Sequence, residues 1–367
     1  TPTAPPVDTV KSPWISPSHY TDPVDLSAGD THACARGSDQ GVYCWGDNHR
    51  GQSGDGDLLA PHVRPRRVPC VEGARAVIAG ATQTGVISAE GTFQYWGRNS
   101  PATRIDRDVL DPCSPASEKH FDDVLGATLS EDFALAWNRR GEVLGWDSRS
   151  PLALIADIPR EPAHHRWFEG TFEVAMNARP ASGHACVRDS QGVHCWGYTR
   201  APDGTSAWYG PFLFNIADGV SRIAAGVDFT CMVSNARTVW CWGTNRVGQL
   251  GLGHNRDQVF PQPVRGLSDV AEVALGRQHA CALTRGGEVW CWGANGSGQL
   301  GSLDPEIQSF VPVRVRGVTD ATQVVAGQDF ACALTRDRKA WCWGANKEGQ
   351  LGCGDNVEHD RPQRVAF

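Results

Sequence analysis

The segment GRQHACALTRGGEVWCWGANGSGQLG, residues 276 to 301, carries two strand-like runs separated by glycines. Val289, Trp290, Cys291 and Trp292 favour extended backbone, and Ala280 to Thr284 form an opposing run. Setting Cys281 opposite Cys291 places Ala282 against Trp290, Leu283 against Val289 and Thr284 against Glu288. Arg285-Gly286-Gly287 is then a three-residue loop. Its last position wants a positive φ, which glycine adopts without steric cost. Cross-strand partners lie about 4.5–5.5 Å apart at Cα, inside the window for a disulfide. The two cysteines are therefore expected to bridge the hairpin. Beyond Trp292-Gly293 the segment closes on a Gly298-Gln299-Leu300-Gly301 turn.

Aligned on the Trp of that Trp-Gly pair, the chain falls into seven copies. They lie at Trp45, Trp96, Trp146, Trp196, Trp242, Trp292 and Trp343, with spacings of 51, 50, 50, 46, 50 and 51 residues. A period near 50 built from short strands and glycine turns is the pattern of propeller blades. Chance Cys-Trp-Gly matches in a disulfide-rich chain would not hold that spacing. The expected fold is all-β, a seven-bladed β-propeller over residues 25–367, preceded by a Pro/Thr-rich segment, residues 1–24.

The cysteines keep the same frame. Cys34/Cys44, Cys231/Cys241, Cys281/Cys291 and Cys332/Cys342 are each ten apart, and Cys186/Cys195 is nine apart. In the second copy Gly85 and Tyr95 take their place, and in the third Leu135 and Gly145. These copies read as blades without a staple. The hairpin-turn glycine is read at Gly41, Gly91, Gly141, Gly192 and Gly287, giving way to Lys339 in the last copy. Asp147 follows Trp146 where the other copies have glycine, so the third copy is the most degenerate. Cys70 and Cys113 lie in linkers before the inner strands of adjacent blades and are expected to pair. Cys353, in the last Gly-Gln turn, remains as a free thiol or a bridge to another chain.

The pattern His279-Ala280-Cys281-Ala282-Leu283-Thr284, continued by Gly287, Val289, Cys291-Trp292-Gly293, Asn295 and Gly298-Gln299-Leu300-Gly301, resembles the RCC1 repeat. The resemblance is to its cysteine-bearing form in secreted bacterial proteins. It is tight in copies one and five to seven and loose in copies two to four. It implies four-stranded blades around a central channel. The Gly-Gln turn recurs at Gly51-Gln52, Gly248-Gln249 and Gly349-Gln350, and is missing after Trp96, Trp146 and Trp196. The resemblance also implies protein binding, since secreted members include a protein inhibitor of β-lactamase. The nuclear member is a guanine-nucleotide exchange factor for a small GTPase, a partner that a disulfide-stapled protein would not meet.

Net charge is −7, from 34 basic and 41 acidic residues. Such a balance argues against non-specific nucleic-acid binding, which needs a dense cationic surface. Clusters at Arg64, Arg66, Arg67 and at Arg139, Arg140 read as solvated loop charges. No apolar run approaches 18 residues, so no membrane-spanning segment is expected. Thirteen cysteines, none in a Cys-x-x-Cys pair, point to an oxidising compartment: extracellular, cell-surface or periplasmic. The opening TPTAPPVDTVKSPWISPSHYTDPVD reads as a mature start, a tether left after removal of a signal peptide or following a lipid anchor. Residues 361–365 match 260–264, so they are expected to form an outer strand and help close the ring, which removes sheet edges.

Catalytic motifs are absent. Residues 296–301 match the Gly-x-Gly-x-x-Gly spacing, but Ser302-Leu303-Asp304-Pro305 follows where a phosphate site needs a helix. No cofactor and no metal site are expected. His32, His184 and His279 share their position with Phe133, Phe229 and Phe330, which reads as packing. His164 and His165 on an extended segment point apart. Asp55-Gly56-Asp57 offers one carboxylate pair where calcium wants six or more oxygens. Asn295-Gly296-Ser297 is a glycosylation sequon only in a eukaryotic source.

The repeat breaks its own rule most strongly at residues 198–214, YTRAPDGTSAWYGPFLF. Trp208, Tyr209 and Phe212 are residue types that anchor interfaces. With Arg166 and Trp167 in the preceding linker, and Arg98 after Trp96, they form the candidate binding patch. The competing reading has these aromatics filling gaps left by the lost staples. The favoured function is an extracellular or cell-surface protein-interaction scaffold using one propeller face. A carbohydrate-binding propeller comes second. An enzyme with a site on that face comes third, without assigned catalytic residues.

Overall fold

The structure, a computed structural model, describes residues 22–57, 60–97, 116–117, 123–129, 133–139, 143–147, 173–177, 184–188, 192–200, 206–214, 216–302 and 306–367. The decisive hairpin forms in the expected register. Cys281 faces Cys291, Ala282 faces Trp290 and Leu283 faces Val289. The Cys281–Cys291 disulfide spans 4.1 Å at Cα.

The strands assemble into successive antiparallel sheets. Blade one holds β1 (Pro23–Ala28), β2 (His32–Gly37), β3 (Val42–Gly46) and β4 (His62–Arg67). Blade two holds β5 (Ala74–Ala79), β6 (Gln83–Ser88), β7 (Phe93–Gly97) and the short β8 (Ala116–Ser117). The third copy contributes β9 (Val124–Leu129), β10 (Phe133–Asn138) and β11 (Val143–Asp147). Blade four holds β12 (Glu173–Asn177), β13 (His184–Arg188), β14 (Val193–Arg200) and β15 (Ser206–Phe214). Blade five holds β16 (Val220–Ala225), β17 (Phe229–Ser234), β18 (Val239–Gly243) and β19 (Gln258–Pro263). Blade six holds β20 (Val270–Leu275), β21 (His279–Thr284), β22 (Val289–Ala294) and β23 (Gln308–Arg314). The last blade holds β24 (Ala321–Ala326), β25 (Phe330–Thr335), β26 (Ala340–Gly344) and β27 (His359–Arg364). The expectation of seven complete blades is thus corrected. Six sheets have four strands, and the third copy shows three among the described residues. The third copy is also the one where the repeat is weakest in sequence, with Asp147 in place of glycine.

The first strand of each sheet packs beside the first strand of the next, from β1 through β5, β9, β12, β16, β20 and β24 back to β1. Apolar cores therefore lie between blades. One joins Phe229, Val233 and Leu250 of blade five to Ala280 and Trp292 of blade six. Another joins Phe330, Leu334 and Leu351 of the last blade to Leu26 and Trp45 of the first. Sheets covered on both faces have no polar side to their middle strands, and β17 and β25 are buried throughout. As expected, β27 is the outer strand of its blade, paired with β26. Blade one is built entirely from residues 23–67, so the ring closes blade against blade.

Two glycine roles deserve separation. The turn glycine expected at Gly41 is not the left-handed residue of its hairpin: that position is filled by Gly91 and Gly287 in two blades, but by Gln40, Arg237 and Arg338 in blades one, five and the last, with φ of 63°, 63° and 59°. Holding a side chain there costs on the order of 1–2 kcal/mol, and the hairpin bonds and disulfides hold it. The other role is close approach. A Cβ on Gly327 would lie 2.5 Å from the Gly29 carbonyl oxygen, and one on Gly29 only 2.0 Å from that of Gly80. The loops after the innermost strands thus touch blade to blade, backbone on backbone.

Five hairpin disulfides form: Cys34–Cys44, Cys186–Cys195, Cys231–Cys241, Cys281–Cys291 and Cys332–Cys342. Cys70 is disulfide-bonded; its expected partner Cys113 lies outside the described residues. Cys353 is a free thiol.

Candidate functional site

Every innermost strand but β12 carries a β-bulge near its start among the described residues, as between Val220 and Arg222, Val270 and Glu272, or Ala321 and Gln323. The residue following the bulge occupies one equivalent place around the channel: Asp25, Ala76, Gly126, Glu173, Arg222, Glu272 and Gln323. Four of them, Asp25, Glu173, Glu272 and Gln323, reach across to the next blade. The Gln323 amide accepts from the Leu26 N–H at 2.8 Å and donates to Asp25 Oδ1 at 3.0 Å. Glu173 Oε2 accepts from the Ile223 N–H at 3.2 Å. Val324 gives Glu272 a backbone hydrogen bond, and Val77 does so for Asp25. Burial pushes the Glu272 carboxyl up to about 7, with Asp25 and Glu173 adding to the rise and Val324 and Arg222 opposing it. Burial also raises Asp25 and Glu173. A carboxyl near neutrality could exchange protons, but these groups spend their oxygens on backbone amides. They stitch the channel wall.

The Trp-Gly motif and the Gly-Gln turn prove to be two halves of one joint. A second bulge, between Cys44/Gly46, Cys241/Gly243, Cys291/Gly293 and Cys342/Gly344, frees the intervening Trp from the outer ladder. Its indole N–H then donates to the Gln carbonyl of the preceding blade. Trp96 reaches Gln52 at 3.0 Å, Trp292 reaches Gln249 at 2.9 Å, Trp343 reaches Gln299 at 3.0 Å, and Trp45 closes the ring on Gln350 at 2.9 Å. Within each turn an Asn holds the loop: Asn346 Oδ1 accepts from the Leu351 N–H at 2.9 Å while its amide donates to the Asp355 carbonyl at 3.0 Å. Where blade four lacks the turn, Phe214 packs on Trp242 instead, ring centroids 5.1 Å apart. That contact supports the gap-filling reading for one aromatic of the 198–214 segment.

The proposed patch residues fall as follows. Trp208, Tyr209 and Phe212 lie on β15, paired in register with Tyr198, Gly197 and Cys195. The β14–β15 ladder runs on past Gly197, at the same end of the ring as the Gly-Gln turns. Arg98, Arg166 and Trp167 lie outside the described residues. Sequence reasoning missed what stands beside blade four on this turn face. At the start of the outer strands of blades five and six, Val259 is 78% exposed, Phe260 67%, Ile307 74% and Val311 50%. The two blades are joined there by the Gly253 N–H donating to the Phe310 carbonyl at 2.8 Å. In the last blade and the first, the positions of Val259 and Phe260 hold Asp360-Arg361 and Val63-Arg64. The signal available in the sequence was Phe260 and Val311, apolar at a rim position held by Arg361 and Arg64 in the last blade and the first.

Titratable groups gather on the same face. Asp55 is bound to His62 at 2.7 Å, and Arg66 approaches Asp55 at 3.5 Å and Asp57 at 3.7 Å, so these carboxylates are already engaged by neighbouring side chains. Asp47, His49 and Glu348 lie together across the seam between the last blade and the first. The Asp47 hydrogen bond holds the His49 imidazole above its ordinary value. Cys353, Asp355 and His359 form a second cluster, a Cys-x-Asp-x-x-x-His spacing not recognised in the sequence. Burial raises the Cys353 thiol.

The repeat histidines are packing residues, as expected. His32 Nε2 meets Thr84 Oγ1 at 2.8 Å, and that hydroxyl donates to the Gln52 carbonyl at 2.7 Å, so His32 carries its proton on Nε2. In blade six the partner position is Ala331, which offers no hydroxyl, and the buried His279 is approached by the Phe330 backbone instead. Burial lowers both imidazoles to about 4. The unfolded chain takes up these protons near pH 6.5, so their stabilising contribution is complete above that value and is lost as pH falls from 6.5 towards 4. The limit is roughly 3 kcal/mol per histidine. Glu272, raised to about 7, acts oppositely over the same range and offsets part of the loss. The melting temperature is expected to drop on acidification from pH 6.5 to 4.5, and to drop less in His279→Phe. An equal drop in both proteins would refute this assignment.

Comparison with known proteins fits the repeat. The family model described as "Regulator of chromosome condensation (RCC1) repeat" matches residues 238–283, 286–334 and 339–367. A second model with the same description matches 24–52, 220–249, 270–299 and 321–350. The chain is 27% identical over 363 residues to the Ultraviolet-B receptor UVR8 of Arabidopsis thaliana, covering 93% of this chain and 69% of that protein. It is 24% identical over 397 residues to Protein pim1 of Schizosaccharomyces pombe, covering 96% and 65%. It is 23% identical over 265 residues to the human RCC1-like G exchanging factor-like protein, covering 65% and 56%. Among solved structures, the ectodomain of the Physcomitrella patens receptor kinase CR4 superposes with a TM-score of 0.52 at 14% identity, over 89% of this chain and 74% of that one. The CRINKLY WD40 ectodomain of Arabidopsis thaliana ACR4 gives 0.51 at 14% identity, over 89% and 96%. At such identities the structures share the fold alone.

Proposed function

Starting from an all-β propeller that carries RCC1 repeats, we propose a protein-interaction scaffold that works in an oxidising compartment and binds its partner on the turn face of blades four to six. One observation carries this reading: Val259, Phe260, Ile307 and Val311 stand exposed at the start of two adjacent outer strands, beside the extended β14–β15 ladder. Apolar side chains grouped at one place on a propeller rim mark an interaction surface. Trp208, Tyr209 and Phe212 extend this surface onto blade four in our reading. RCC1-like relatives named as exchange factors and receptors are consistent with work done through protein contacts. The five hairpin bridges support an oxidising setting, and we read the destination as extracellular, cell-surface or periplasmic. We read the blades, from β1 at Pro23 through the last, as the binding unit.

The test compares capture from the surface and secreted fractions of the source organism by the wild type, a Phe260→Asp/Val311→Asp variant and a Trp208→Ala/Tyr209→Ala/Phe212→Ala variant. A protein held by the wild type is expected to lose at least tenfold in affinity to the first variant, the range for central apolar anchors. Equal binding by both variants and the wild type would remove this face from consideration. Binding of glycan in place of protein would overturn the scaffold reading.

A further inference from the structure

We propose that Cys353, Asp355 and His359 form a binding site for a divalent transition metal of the Zn2+ type, seated on the last turn of the ring. The three donor atoms lie within 4.8 Å of one another. Cys353 Sγ is 3.6 Å from Asp355 Oδ1, and His359 Nε2 is 3.2 and 3.3 Å from the two Asp355 oxygens. Zinc bonds of about 2.0–2.3 Å to N, O and S ligands set tetrahedral edges of about 3.3–3.8 Å. The Cys353–Asp355 and His359–Asp355 separations lie close to those edges. Sulfur, imidazole and carboxylate together suit zinc rather than calcium or magnesium, which take oxygen ligands. Three protein ligands leave the fourth position to water or to a group from outside.

The surroundings support the assignment. Asn346 donates to Asp355 Oδ1 at 2.9 Å and so fixes the carboxylate, as outer partners of metal ligands do, leaving Oδ2 as its oxygen for a metal. The residues around the site are held by the turn: Val357 N–H reaches Asp355 Oδ1 at 3.0 Å, and Gly354 N–H reaches the Val63 carbonyl of blade one at 2.9 Å. The repeat itself does not require this set. At the same positions blade five has Leu252, His254 and Gln258, and blade one fills its turn with the Asp55–His62 contact. Cys353 is also the one free thiol among the described residues, in a chain that otherwise oxidises its cysteines. A metal ligand is a use for a thiol that must stay unpaired.

The experiment is titration of the intact protein with Co2+ and with Zn2+, after confirming one reactive thiol per chain. Cobalt is expected to produce a thiolate-to-metal charge-transfer band in the near ultraviolet, displaced by zinc, with a rise in melting temperature on zinc addition. Cys353→Ser should abolish the band. Cys353→Ser and His359→Gln should each weaken zinc binding at least about tenfold, the lower end of what even outer partners cost. A cobalt complex lacking the thiolate band would overturn the proposal, as would zinc affinity unchanged in both variants. So would loss of binding in His49→Gln with retention in Cys353→Ser, which would put the metal on the Asp47, His49, Glu348 cluster instead.

Discussion

Reduction of the five hairpin disulfides is expected to unfold the ring under conditions where the oxidised protein stays intact. Four of the bridges close loops ten residues apart and the fifth nine. Loop-closure entropy assigns about 2–3 kcal/mol to each such bridge. Five together reach on the order of 10 kcal/mol, comparable with the whole stability of a typical domain. The sulfurs are shut away between blades, with Cys34, Cys231, Cys281 and Cys291 fully buried, so reductant must wait for local opening. Urea denaturation of the oxidised chain and of the reduced, alkylated chain measures the difference. Coincident midpoints would refute it. Opening should begin in blades two and three, where Gly85 faces Tyr95 and Leu135 faces Gly145 in the places of the cysteines. Hydrogen exchange in the oxidised protein should show amides of β6, β7 and β10 exchanging before those of β17, β21 and β25.

Trp45→Ala should cost about 3–5 kcal/mol, the range for removing a large aromatic from a core. Trp45 is wholly buried, donates to the Gln350 carbonyl at 2.9 Å and meets Phe367 edge-on at 5.7 Å. Gly352 packs so closely that a Cβ there would stand 2.8 Å from the indole. Trp45→Phe keeps much of the apolar volume but leaves the Gln350 carbonyl without its donor, a penalty of about 1–3 kcal/mol. Chemical denaturation of both variants, with Trp292→Phe as the same change away from the closure, checks the ordering. A Trp45→Phe protein as stable as the wild type would remove the indole bond from the account of how the ring closes.

Much of this was legible in the residues because it is local. Cys281 and Cys291 are ten apart on two strands of one hairpin, and their pairing followed from β-propensity and one glycine loop. What escaped involves residues from different blades. The Gly-Gln-Leu-Gly turn was recognisable as a repeat element, but its task was not, since Gln249 serves Trp292 in the next blade. The channel position holds Asp25, Ala76, Gly126, Glu173, Arg222, Glu272 and Gln323, a set too varied to align by type. Only the bulge that aims them reveals that they share a place. The turn glycine was misread because Gly41 and Lys339 lie one residue beyond Gln40 and Arg338, the residues that carry the left-handed φ. The candidate binding patch was anticipated on aromatic content at blade four, whereas the exposed apolar side chains on blades five and six stand in strands that otherwise obey the repeat.

The closure between the last blade and the first has a kinetic meaning. Its bonds join residues 297 and 305 apart in sequence, against 43 and 44 at the other Trp–Gln joints. Loop entropy grows only as the logarithm of length, at about 0.6 kcal/mol per doubling, so this joint is less than about 2 kcal/mol harder to form than its neighbours. That difference is enough to place it last. Neighbouring blades can dock as soon as each hairpin exists, growing an open arc, and the two ends of the arc meet only when every other interface is in place. A contact absent from the transition state changes the rate of unfolding and not of refolding. Stopped-flow measurements on Trp45→Phe should therefore show faster unfolding and an unaltered folding rate; slower refolding would mean instead that the ring nucleates across its own closure.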